Sequence, residues 1–160
     1  MGSNLQEEIK QKASFSSIEQ EALLSIHWTA GLLAYRAQNI LKKRGLTLSQ
    51  YNVLRILRGA GRDGLRCSEI GERLIHRDPD ITRILGRLQK QGMIEQRRDP
   101  ADRRAIYSRI SATGLRILRR MDPLVDRTTR ASLAHLAPER LLLLIRLLEE
   151  VRAAETDDEI

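Results

Sequence analysis

At Gly92 the spacing of apolar residues switches from about 3.6 to two, and this switch constrains the fold more than any other feature of the chain. Before it, Ile81, Ile84, Leu85 and Leu88 recur at i, i+3, i+4 and i+7, the stripe of an amphipathic helix. Asp78 reads as its N-cap, with Pro79 at the first helical position and Gly92 closing it. After it, residues 93–98 (MIEQRR) and 104–110 (RAIYSRI) read as strands. The turn-forming DPAD joins them into a hairpin with a charged tip.

The other elements are helical. From Ser17 to Arg44 apolar residues recur at three- and four-residue steps behind a capping box of Ser17 with Gln20, and Gly45 ends the stretch. A second helix opens at Thr47, where Gln50 completes a capping box and Leu46 staples to Tyr51, and runs to Gly59. The flexible GAGRDG leads into a short apolar strand around Leu65, then a third helix capped by Ser68 and carrying Ile70, Leu74 and Ile75. A helix restarts over 113–120 and is expected to break near Pro123. A leucine-dense helix from Pro138 to Ala154 precedes a frayed acidic tail. Only His76 and Arg77 separate the third and fourth helices, the sequence shape of a helix-turn-helix. The fold class read here is mainly α with a small β-hairpin wing.

Lys and Arg outnumber Asp and Glu by 28 to 21, a net charge of +7 that suits a polyanionic partner. Aromatics form only 3% of the chain, too few for the stacking platforms of single-strand or RNA binders, so double-stranded DNA is the expected polyanion. The single cysteine, Cys67, cannot form an internal disulfide and reads as a packed thiol in a reducing cytosol. MGSNLQEEIK lacks a signal-peptide core, Gln6 stands where myristoylation wants Ser or Thr, and Leu141 to Ile145 is too short an apolar run to span a bilayer. A soluble, cytoplasmic protein without membrane contact is expected.

On a helical wheel the fourth helix turns Ile84, Leu85 and Leu88 inward and Pro79, Thr82, Arg83, Gly86, Arg87 and Lys90 outward. Arg83 is the expected base reader, because a guanidinium fork matches the acceptor pair of guanine. Thr82 suits a thymine methyl or a phosphate, and Arg77, Arg87 and Lys90 suit phosphates. Ser68, opening the preceding helix, joins this DNA-facing set. In RRDPADRR, Arg97, Arg98, Arg103 and Arg104 surround a turn bearing Asp99 and Asp102. So many guanidinium groups on a thin ribbon make sense against a strongly negative groove, with Asp102 orienting an arginine at the tip.

Other signals are declined. GAGRDG matches G-x-G-x-x-G but follows a helix, so no dinucleotide is expected. His27, His76 and His135 are scattered, so neither metal nor cofactor is expected, and no catalytic constellation is found. Leu141–Ile145 with Leu147, Leu148 and Val151 exceeds one apolar stripe, which asks for a partner surface and suggests a homodimer.

From Leu46 to Leu118 the chain resembles the MarR family of winged-helix regulators. The resemblance is carried by LTLSQYNVLRIL, CSEIGERL and ITRILGRLQKQGMIEQRRDPADRRAIYSRISATGLRIL, above all by ITRILGRL, the Gly-Met-Ile strand entry, the Asp102-Arg103-Arg104 wing signature and the SATGL restart. It implies a winged helix-turn-helix with N- and C-terminal dimerisation helices: 1–45 as arm and first dimerisation helix, 46–112 as the DNA-binding domain and 113–160 completing the dimer body. It also implies Arg104 as the minor-groove residue held by Asp102, and a repressor of a pseudo-palindromic operator. Many relatives carry an acidic residue where this chain has Gly86. A small aromatic or amphipathic effector is implied between body and lobes, where Trp28 and Tyr35, seven apart on the first long helix, are placed either in its pocket or in the core. A protein-binding winged helix and a non-specific architectural DNA binder are the alternatives.

Overall fold

The computed structural model describes residues 4–75, 80–99, 102 and 105–157. The chain order is α1 (Asn4–Glu8), α2 (Ile18–Lys42), α3 (Leu48–Ala60), β1 (Leu65–Arg66), α4 (Cys67–Glu72), α5 (Ile81–Lys90), β2 (Ile94–Arg98), β3 (Ile106–Ile110), α6 (Ala112–Leu133) and α7 (Pro138–Asp157). The strands form one antiparallel sheet in the order β1-β3-β2. It matches the expected architecture, with β1 as the third strand of the wing.

Helix ends follow local chemistry. Thr47 and Gln50 exchange both bonds of a capping box, at 3.1 and 2.9 Å. At the N-terminus of α2 the Ser17 side chain accepts from the Gln20 amide, but Gln20 reaches back to the Ser16 amide rather than that of Ser17, so the box is only half formed. Gly45 and Leu46 close α2 by donating to the carbonyls of Lys42 and Leu41, which leaves Leu46 and Leu41 packed together in the core. Gly92, at φ 67°, closes α5 in the same way, its amide bonded to Gln89 and that of Met93 to Leu88.

Several boundaries differ from the sequence reading. The third helix starts at Cys67, not behind a Ser68 cap: Glu69 accepts the Arg66 amide at 2.7 Å, and Ser68 lies inside α4. That helix stops at Glu72, which leaves Leu74 buried but Ile75 81% exposed. α3 runs one residue past Gly59 to Ala60, before Gly61. α5 has Asp80 at its N-cap position, with no side-chain cap bond; the expected cap Asp78 and Pro79 lie outside the described residues. α6 continues through Pro123 instead of breaking, because Leu118 and Met121 before it and Leu124 and Val125 after it all pack on one core. α1 was not foreseen; Leu5 is buried there, and Trp28 donates from Nε1 to Glu8 at 3.0 Å.

The core belongs to the winged lobe. Leu41, Leu54, Leu57, Ile70, Leu88 and Leu118 are fully buried and bring α3, α4, α5 and the start of α6 against the sheet. Leu41 is the one buried residue of α2, and no described side chain of α7 is buried. Leu23, Leu32, Leu142, Leu143, Ile145 and Leu147 stand exposed on these two helices.

Candidate nucleic-acid interface

α5 is packed by Ile84, Leu85 and Leu88, so its opposite face, bearing Thr82, Arg83, Arg87 and Lys90, is turned to solvent. Arg83 is tied through Nε to the Asp80 carboxylate one turn earlier, an exposed pair worth little to stability. That contact engages the Arg83 guanidinium on the exposed face of the helix. Ser68 is exposed beside this face. Together with Arg66, Cys67, Thr82, Gly86 and Asp102 it borders a cleft of about 540 Å³ between α4, α5 and the wing.

An added Cβ at Gly86 would meet nothing within 4 Å. Gly86→Ala is therefore expected to stabilise the protein by about 0.5–1 kcal/mol, through helix propensity alone, as an upward shift in thermal unfolding. Cys67 lies between the two helices of the helix-turn-helix, its Sγ 3.9 Å from Thr82 Oγ1, in keeping with a packed thiol.

In the wing turn the Asp102 amide bonds to Asp99 Oδ1, its carbonyl accepts the Ala105 amide, and the Asp99 amide bonds to Ala105. These bonds bring Asp99 and Asp102 together at the tip, and Arg98 is exposed at the end of β2. Arg77, Pro79, Arg103 and Arg104 lie outside the described residues. Trp28 and Tyr35 are 40% and 66% exposed on α2, so neither is a core residue of the single chain. No group of three or more His, Cys, Asp or Glu side chains with metal-binding geometry occurs among the described residues. No helix there is long and apolar enough to cross a membrane.

The sequence reading missed one basic feature. Arg66, Tyr107 and Arg97 share a register row across β1, β3 and β2. Arg66 donates from Nε to the Tyr107 hydroxyl at 3.0 Å, and the two guanidinium groups lie 5.2 and 6.0 Å from the centroid of the same ring. The Tyr107 hydrogen bond raises the Arg66 pKa further. The period-two pattern placed Arg97 and Tyr107 on strands, but nothing local paired them with β1.

A basic helix packed on a three-stranded wing, with an acidic pair at the turn, defines a winged helix-turn-helix DNA-binding protein. The chain belongs to the MarR family, whose model matches residues 44–105. It is 30% identical over 128 residues to the HTH-type transcriptional repressor IacR of Pseudomonas putida, covering 78% of this chain and 75% of that one. A MarR transcription factor from Planctomyces limnophilus superposes with a TM-score of 0.66 at 33% identity, over 84% of this chain and 98% of that one. Sco3205, a MarR family regulator from Streptomyces coelicolor solved in complex with DNA, superposes at a TM-score of 0.76 and 23% identity, over 90% and 92%. These proteins are transcription regulators by name, and this chain is a regulator of the same family.

Proposed function

We propose that the chain binds a pseudo-palindromic operator as a homodimer and represses transcription until a small effector loosens it. The observation that carries this reading is the open face of α5, where Thr82, Arg83, Arg87 and Lys90 are all exposed while Ile84, Leu85 and Leu88 hold the helix on the core. Arg83 reads a base, Thr82 meets a thymine methyl or a phosphate, and Arg77, Arg87, Lys90 and Arg98 grip phosphates. Ser68 and Pro79 flank the contact, and Arg103 and Arg104 enter the minor groove with Asp102 holding Arg104.

Residues 46–112 form the DNA-binding domain. The exposed leucines of α2 and α7 support a dimer body built from 1–45 and 113–160, since a monomer would leave them in water. Trp28 and Tyr35, on the exposed side of α2, suit an aromatic or amphipathic effector at that body, one that shifts the spacing of the two lobes. The protein works in the cytoplasm and has no catalytic role.

Selection of bound duplexes from a random pool at near-physiological salt tests this reading. The wild type is expected to recover a pseudo-palindrome with half-sites about 10 bp apart or a multiple of that. Arg83→Ala should lose about 1–3 kcal/mol on that operator and relax one base position in each half-site. Recovery of no motif, or equal loss on every duplex, would favour a non-specific architectural binder.

A further inference from the structure

Three side chains are hydrogen-bonded where the winged lobe meets α6. Tyr51, on α3, is 2% exposed, and its hydroxyl donates to Asp122 Oδ1 at 2.7 Å. Arg58, two turns further along α3, donates from Nη1 to the other oxygen of the same carboxylate at 2.5 Å. Both oxygens of Asp122 are thus held by one helix of the lobe. The Arg55 guanidinium lies 5.8 Å from the Tyr51 ring centroid and keeps the site cationic.

The protonation states suit the arrangement. Burial first, then the bond to Asp122, push the Tyr51 phenol up to about 12, so it remains a donor at neutral pH. Burial alone would raise the Asp122 carboxyl, but Arg58 and Tyr51 outweigh it and hold the group below its usual range. A neutral donor and a cation therefore meet a carboxylate.

The position on α6 gives this group its meaning. Pro123, the next residue, has no amide hydrogen for the Arg119 carbonyl, so α6 lacks one backbone bond across this turn. Before it, Leu118 and Met121 sit in the core of the lobe. After it, Leu124 and Val125 still pack on that core, and α6 then runs on to Leu133, with Arg36 of α2 donating to Ser132 at 3.3 Å. The three side chains tie α3 of the lobe to α6 at this weak turn, beside the core contacts of Met121 and Leu124.

We propose that Tyr51, Arg58 and Asp122 form a latch that fixes the angle of the winged lobe on α6, and through it the half-site spacing the protein accepts. The spacing half rests on the dimeric reading above. A dimer presents two recognition helices at one separation, so play at the joint translates into tolerance of spacing. The three are positioning residues and touch no DNA.

Tyr51→Phe and Asp122→Asn remove latch bonds with little change in shape. A first readout needs no DNA: nitroxide labels at Gln91 and Arg127, in a Cys67→Ser background, with labelled chain diluted into unlabelled chain. The wild type should give one narrow distance distribution. Both variants should broaden it while unfolding cooperatively, Asp122→Asn more because Arg58 loses its counter-charge.

A second readout compares the selected operator with duplexes whose half-site spacing is one base pair longer or shorter. The wild type should discriminate by about tenfold and the variants by less than about threefold, with affinity for a single half-site unchanged. Distributions as narrow as the wild type's in both variants overturn the latch, and broadened distributions with an unchanged spacing ratio overturn its link to DNA. A wild type that prefers no half-site sinks the regulator reading instead, while the label distances still judge the latch. Tyr51→Phe keeps the Arg58 pair, so it separates loosening from simple unfolding.

Discussion

Gly114→Ala is expected to destabilise the protein by about 3 kcal/mol, lowering the thermal midpoint on the order of 10 °C. A Cβ there would stand 2.3 Å from the Met93 carbonyl oxygen and 2.8 Å from Ile110 Cγ1. Neither neighbour can yield cheaply. The Met93 carbonyl is pinned by the Ser111 amide at 3.0 Å, and the Gly114 amide is itself bonded to Ser111 Oγ, the N-cap of α6, at 3.1 Å. The first turn of α6 therefore lies directly on the entry to β2 and the exit from β3, and only a residue without a side chain permits that approach. Differential scanning calorimetry beside Gly86→Ala checks the account, because the same chemical change should carry opposite signs at the two positions. Equal melting shifts would mean that the contact with Met93 is not rigid.

Operator affinity should fall roughly 10⁴-fold between 50 and 200 mM salt. Arg77, Arg87, Lys90 and Arg98 give four phosphate-binding cations per protomer, hence eight in a dimer. At about 0.9 counterions released for each phosphate contact, the logarithmic slope is about −7. Arg87→Ala combined with Lys90→Ala removes half of these contacts and should halve the slope, which fluorescence anisotropy over a salt series measures. Folding should scarcely change, since both side chains are exposed and neither contributes to the core. A slope that stays near −7 in the double variant would remove these two residues from the phosphate contacts.

The DNA-facing helix was legible because its information is local. Ile84, Leu85 and Leu88 recur with the helical period and are buried, so Thr82, Arg83, Arg87 and Lys90 had to face outward. The Thr47–Gln50 capping box and the glycines after α2 and α5 likewise involve residues within a few positions of one another. Where two local solutions competed, the reading went astray. Ser68 is a good cap by type, yet Glu69 bonding back to the Arg66 amide starts the helix at Cys67. Ile75 continues an apolar pattern after the helix itself has stopped, and so ends exposed.

By itself, the sequence determined the order of elements from α2 to α7, the helix faces and the charge of the surface they present, because each follows from spacing within a turn or two of backbone. Tertiary structure alone decided which distant residues meet. Pro123 forbids one backbone hydrogen bond, but whether a helix breaks there depends on what holds both sides, and in this fold one core and the Tyr51–Asp122 bond, 71 residues apart, carry α6 through. Arg66 meets Tyr107 for the same reason: closing β1 onto β3 sets a register that no local period encodes.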